Sequence, residues 1–187
     1  MSGIRVIAGL AKGRRLKFVP GNSTRPIMDR VKENVFNIIG YGIRHTAFLD
    51  LFGGTGSVGI EALSRGAHHV LFIDADKLAV RTIKENLGIV GFSEQAQVLC
   101  GDALSYLRSK PHTSFDFIYI APPQYKNLWI ESLKLIDAQP EWLNPDGQAI
   151  VQIDPKEYEQ LALTHLVLVD QRKYGSTMLC FYERPGE

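Results

Sequence analysis

The sequence is poor in cysteine. Cys100 and Cys180 are its two, and neither belongs to a CxxC or a Cys/His cluster. A zinc site or disulfide framework is therefore not expected, and no metal site is assigned. Both thiols are predicted to be reduced and buried in the core, as in a cytosolic protein. The chain also lacks any apolar run near the ~18 residues that a membrane span requires. Its start, MSGIRVIAGLAKGRR, carries charge but no continuous apolar stretch, which argues against a secretory signal. Acidic residues are scarce at the beginning. Residues 1–44 hold two, Asp29 and Glu33, against nine basic residues. That segment carries +7 and the remaining 143 residues carry −6, although the whole chain is near neutral at +1. A basic segment ahead of an acidic body points to contact with a polyanion. Nucleic acid fits better than a membrane surface, because the segment has no long amphipathic apolar face.

What is present suits one sizeable core with a small appendage: 187 residues, 45% hydrophobic and 22% charged. RVIAGL and RRLKFV flank a turn at Ala11-Lys12-Gly13, which reads as a hairpin. A loop, PGNSTRP, leads to a helix expected to start near Pro26 or Ile27. Val31, Val35, Phe36, Ile38 and Ile39 form its apolar stripe, with Arg30 and Lys32 off it and Gly40 and Gly42 at its end. From residue 47 strands and helices alternate. Apolar strands are predicted at 47–52, 70–74, 96–100, 115–120 and 149–153, with helices at 59–65, 77–90, 103–108 and 128–137 between them. Continuous apolar strands suit a parallel sheet covered on both faces. HLVLVDQR and TMLCFYE, around Tyr174-Gly175-Ser176, are close enough to pair antiparallel. The expected fold class is α/β: a doubly wound, Rossmann-like sheet, mostly parallel, with a C-terminal antiparallel hairpin and a small basic N-terminal hairpin and helix. The expected domains are residues 1–44 and 45–187.

LDLFGGTGSVGIEALSRG, residues 49–66, gives strand, glycine-rich turn and helix in the order of a nucleotide-binding crossover. Gly53, Gly54 and Gly56 allow close backbone approach, and helix amides near Ser57 can face a polar ligand. Gly54, Gly56 and Gly59 also satisfy GxGxxG, with Asp74 twenty residues after Gly54. That fingerprint alone leaves a dehydrogenase open. Asp50, inside the strand end, favours another reading. A carboxylate there suits the cationic methionine moiety of S-adenosylmethionine and sits poorly beside a pyrophosphate. Asp102 can accept from an adenine amino group or cap a helix, and the residue alone does not choose. Asp50, Asp74 and Asp102 nonetheless stand at three successive strand ends, where such sheets bind ligands. Asp76 reads as a helix-start residue and Asp116 as structural.

The chain resembles the RsmD-type methyltransferases over nearly its whole length. RVIAGLAKGRRL is similar to the family's N-terminal hairpin. TRPIMDRVKENVF is similar to its TRPxxDRVxExxF segment, carried by Thr24, Arg25, Pro26, Asp29, Arg30, Val31, Glu33 and Phe36. LDLFGGTGSVGIEALSRGA is similar to its cofactor motif, with Gly53 where alanine is commoner, and GDAL and RKYGSTML also fit. The resemblance implies a class I S-adenosylmethionine-dependent enzyme that methylates the exocyclic N2 of a guanine in small-subunit (16S) ribosomal RNA. It implies that Asp50, Gly53, Gly54, Thr55, Gly56 and Ser57 line the methionine side. Asp74 would bind the ribose, and Asp102 with the Ala103 backbone the adenine. Arg5, Lys12, Arg14, Arg15, Arg25 and Arg30 would engage RNA, within or outside a small-subunit assembly intermediate. A cytoplasmic monomer is expected. Asp29 and Glu33 are read as structural.

One motif departs from the pattern. Many enzymes that methylate amino nitrogens carry (Asp/Asn)-Pro-Pro-(Tyr/Phe) at such a strand end. Here the stretch is Ala121, Pro122, Pro123, Gln124, Tyr125. The reaction needs in-line approach and acceptors for the two amino hydrogens. The aromatic of the motif stacks on the extruded base. Ala121 removes a side-chain acceptor, a loss of a few kcal/mol, or roughly a hundredfold or more in rate. Three readings follow. Gln124 supplies the acceptor while Tyr125 supplies the ring; or orientation and a backbone carbonyl suffice; or the site is inactive and the protein only binds RNA or cofactor. The intact glycines, acids and basic arm favour activity.

Overall fold

The computed structural model describes residues 3–21 and 26–186. The chain divides into two compact units, Met1–Asp102 and Ala103–Glu187. In the first, β1 (Ile4–Arg5) and β2 (Arg15–Leu16) pair antiparallel, Ile4 opposite Leu16. The hairpin is shorter than RVIAGL and RRLKFV suggest. The backbone of the intervening residues is used elsewhere: the amides of Ile7 and Ala8 donate to the Glu61 carboxylate, and that of Leu10 to the Ser64 carbonyl. Ladder bonds are thus exchanged for docking.

Helix α1 spans Asp29–Ile39. It begins later than the expected Pro26 or Ile27 because Met28 is extended, at φ −67° and ψ 142°. Asp29 then opens the first turn, where a negative charge opposes the helix dipole favourably. Next come β3 (Ala47–Asp50), α2 (Ser57–Ser64), β4 (His69–Asp74), α3 (Lys77–Val90) and β5 (Ala96–Cys100). The strands are parallel in the order β5-β4-β3. Phe48, Leu49, Val70 and Phe72 are buried, as continuous apolar strands require. Asp76 caps α3 by accepting from the Leu78 amide, its expected helix-start role.

The second unit holds α4 (Ala103–Arg108), β6 (Phe115–Ile120), α5 (Leu128–Ala138), β7 (Leu143–Ile153), β8 (Val167–Tyr174) and β9 (Thr177–Glu183). Its strand order is β6-β7-β9-β8. The β6 and β7 strands are parallel, whereas β9 runs antiparallel to both β7 and β8. Strand β7 starts six residues before the predicted Ala149. Pro145 and Gly147 hide that start in the sequence, and the β6–β7 register shifts there. Asp116 accepts from the Asn144 side chain at 2.9 Å, a structural role as read from sequence.

The fold class is therefore α/β, mostly parallel, ending in an antiparallel pair. Among the described residues, no helix is long and apolar enough to cross a membrane. A further expectation is corrected. Cys180 is buried, but Cys100 is exposed. It ends β5, the outermost strand of its unit, where only partial cover is available.

Candidate active site

The chain leaves β3 at Asp50 and turns through Gly53–Gly56 into α2. The Gly53 amide donates to the Ile73 carbonyl of β4, and the Gly56 amide to the Gly53 carbonyl, each at 2.8 Å. Gly56 has φ 82°, a left-handed conformation that a side chain would resist. Thr55 and Ser57 are buried. The Ser57 amide donates to Thr55 Oγ1 at 3.3 Å. Gly59 serves packing. A Cβ there would lie 2.3 Å from the Phe72 ring, so this glycine lets α2 approach β4 and does not distinguish a dinucleotide site from another nucleotide site.

Two carboxylates stand at the ends of the adjacent strands β3 and β4. Asp50 is 2% exposed and accepts from the Gly59 amide at 3.1 Å. Burial holds its carboxyl well above the usual carboxylate range. The Gly59 bond opposes this, and the like charge of Asp74 adds to it. Asp74 accepts from the Gly54 amide at 2.8 Å through one oxygen and from the Asp76 amide at 2.9 Å through the other. Its carboxyl is also raised, first by burial. Asp102 is exposed and lies two residues past Cys100, the end of β5; Ala103 is buried and opens α4.

This geometry suits a cationic adenosyl ligand. Two like-charged acids in a partly desolvated pair are unfavourable alone and are relieved by a positive group. Asp74 is oriented by two amides, and each of its oxygens retains a lone pair for a hydroxyl donor.

The Ala121–Tyr125 stretch follows β6. Ala121 and Pro122 are half-buried; Pro123, Gln124 and Tyr125 are exposed. Tyr125 is 62% exposed, yet it is fixed at both ends. Its amide donates to Glu157 Oε1 at 2.7 Å and its hydroxyl to Asp154 Oδ2 at 2.8 Å. Asp154 and Glu157 are themselves held by a capping box over the turn Pro155–Glu157. The hydrogen bond to Asp154 raises the Tyr125 phenol. Sequence reading missed these two acids. Only the spacing DPKE, a capping-box pattern, marked them.

The basic arm divides. Arg5 pairs with Asp29 at 3.0 Å, and the Arg14 guanidinium donates to the Ile89 carbonyl. Lys12, Arg15 and Arg30 are exposed, and Arg25 lies outside the described residues. Lys32, expected off the apolar stripe, is fully buried. Its ammonium donates to the Arg5 carbonyl at 2.6 Å and to Ser57 Oγ at 2.8 Å, and lies 3.5 Å from Glu61. Those three acceptors explain why a cation sits there. Burial lowers its pKa, against the opposing pull of Glu61. A helical period alone could not reveal this, because the partners come from β1 and α2.

The chain matches the family described as Conserved hypothetical protein 95 over residues 4–183. It is 37% identical over 184 residues to the ribosomal RNA small subunit methyltransferase D of Haemophilus influenzae, covering 96% of this chain and 93% of that protein. The chain belongs to this family. It is the RsmD-type family that the motifs resemble. Its fold follows the family: the solved structure of the Escherichia coli protein yhhF matches at TM-score 0.88 with 28% identity, covering 100% of both chains. An RNA methyltransferase of Salinibacter ruber, solved in complex with S-adenosyl-L-homocysteine, shares the fold at TM-score 0.65 and 13% identity, with 87% of this chain and 95% of that one covered.

Proposed function

We propose that this protein is a methyltransferase that transfers the methyl group of S-adenosyl-L-methionine to ribosomal RNA. The acceptor is the exocyclic N2 of a guanine in small-subunit (16S) RNA, free or in an assembly intermediate, and the reaction is cytoplasmic. The observation that carries this is family membership across residues 4–183, joined to a relative whose name states the reaction class.

Bound S-adenosyl-L-methionine supplies an electrophilic methyl on a sulfonium. Asp50 offsets the positive charge of the methionine end. Gly53, Gly54, Thr55 and Gly56 shape the backbone around it, and Ser57 fixes the start of α2. Asp74 takes the ribose hydroxyls, while Asp102 and the Ala103 backbone take the adenine. Pro122 and Pro123 have no N–H, so the backbone from the Ala121 carbonyl through Pro123 presents acceptors only. Such a surface suits an amino group, which brings two donors. Gln124 supplies the acceptor that Ala121 lacks. Tyr125, exposed but held through Asp154 and Glu157, stacks on the base. Arg5, Lys12, Arg14, Arg15, Arg25 and Arg30 hold phosphates and position the RNA.

The test is transfer of labelled methyl to small-subunit RNA, both naked and protein-coated. Wild-type protein is expected to label at least one form. Gln124→Ala lowers kcat by about a hundredfold with cofactor affinity intact, and Ala121→Asp restores the rate in that background. An unchanged rate in Gln124→Ala sinks the substitute-acceptor role. Cofactor binding with no transfer to any form identifies a non-catalytic RNA-binding protein instead. Tight NADH binding without S-adenosylmethionine binding identifies an oxidoreductase.

A further inference from the structure

Phe18 and Leu78 are large apolar side chains left 52% and 47% exposed. Both line a groove of about 330 Å³ with Lys17, Pro20, Arg81, Thr82 and Glu85. The groove lies between the basic arm and helix α3, inside the first unit. The arm runs along α3 from its end toward its start. The Arg14 guanidinium reaches the Ile89 carbonyl, and the Lys17 ammonium lies 3.0 Å from Glu85. The Lys17 backbone is clamped both ways by Asn86: its amide donates to Asn86 Oδ1 at 2.7 Å, and Asn86 Nδ2 donates to its carbonyl at 3.1 Å.

The surroundings are cationic. Arg14, Arg15 and Lys17 on the arm and Lys77, Arg81 and Lys84 on α3 carry exposed charge. Among the described residues Glu85 is the one acid lining the groove, and it is neutralised by ion pairs with both Lys17 and Arg81. An apolar floor among mainly cationic side chains suits a ligand with a flat apolar face and a negative backbone. An unpaired nucleotide has both, and aromatic platforms in basic grooves take such bases with little regard to sequence. The seat is also fixed relative to the glycine loop, because Asn86 donates to the Thr55 carbonyl at 2.9 Å.

We infer that this groove seats an unpaired base of the RNA, stacked on Phe18 over Leu78, with Lys17 and Arg81 on the flanking phosphates. The inference rests on the proposed RNA substrate and extends the RNA-facing surface from the arm onto α3. The base seated here is separate from the methyl acceptor, so its loss acts on RNA affinity and not on chemistry.

The experiment measures ribosomal RNA affinity and steady-state methyl transfer for wild type, Phe18→Ala, Phe18→Leu and Phe18→Trp. Phe18→Ala and Phe18→Leu weaken RNA binding and raise KM for RNA about tenfold, within the roughly 5- to 150-fold span of one stacked base. Phe18→Trp binds as wild type. Cofactor affinity, kcat at saturating RNA and melting temperature stay unchanged in all three. Wild-type affinity in Phe18→Ala overturns the seat. So does wild-type affinity in Phe18→Leu alone, which would indicate a generic apolar contact such as a protein partner makes. If wild-type protein binds no ribosomal RNA, the proposed function itself fails, and the seat with it.

Discussion

Asp50 shows most sharply how a residue can oppose stability while suiting a ligand. It is buried, it accepts from the Gly59 amide, and the neighbouring charge of Asp74 has the same sign. A carboxyl whose folded pKa lies above its unfolded value binds its proton more readily in the folded state. Its stabilising contribution is therefore present at low pH and is lost as pH rises from the unfolded pKa through the folded one. Asp50→Asn removes that loss and keeps an oxygen for Gly59. At neutral pH the variant melts higher without ligand, by roughly 2–4 °C for each ~1 kcal/mol relieved, and its pH profile flattens above the ordinary carboxylate range. It binds S-adenosylmethionine more weakly. Calorimetric melting and titration check both outcomes; a lower melting temperature with unchanged cofactor affinity would make Asp50 purely structural. The placement of Asp50, Asp74 and Asp102 at or just past three strand ends was legible in sequence, because each follows an apolar run. Lys32 and Asn86 were not. Each looks like an ordinary helix residue until partners from other elements surround it.

At the scale of elements, the arm is held to α2 through two residues, Ser64, whose hydroxyl accepts from the Ala11 amide and donates to the Ala8 carbonyl, and Glu61. Glu61 is fully buried and accepts from the Ile7 and Ala8 amides at 3.0 and 3.1 Å. It also pairs with Arg65 at 2.9 Å and with Lys32. Replacing it strands two amides and a buried cation. Breaking one side of a buried pair costs roughly 3–5 kcal/mol. Glu61→Ala is therefore expected to destabilise the protein by about that amount in urea unfolding and to abolish hydrogen-exchange protection at Ile7 and Ala8. A change under ~0.5 kcal/mol with protection retained would show that the arm is held by other contacts. Sequence made the strands and helices after residue 47 readable, since an apolar run and a capped amphipathic stretch encode them locally. It misjudged the hairpin's length and the start of α1. Both depend on where backbone amides find partners outside the segment. Cys100 failed for a related reason: strand-like neighbours do not say whether a strand is outermost.

Across the whole molecule, a +7 segment precedes a −6 body. The exposed cations of α3 continue that basic surface past the segment's end. Charge patterning could suggest a polyanion but could not show that Phe18 lies among those cations, because the arm and α3 are about sixty residues apart in the chain. In the proposed reaction the glycine loop and the paired acids serve the cofactor, and Tyr125 serves the base. The central claim is the identity of the methylated atom. It is tested most directly by incubating the protein with labelled S-adenosylmethionine and small-subunit RNA, digesting the RNA to nucleosides and identifying the labelled one by mass. The account predicts N2-methylguanosine, about one per RNA. Label in another nucleoside, or bound cofactor with no label in any RNA form, would contradict it.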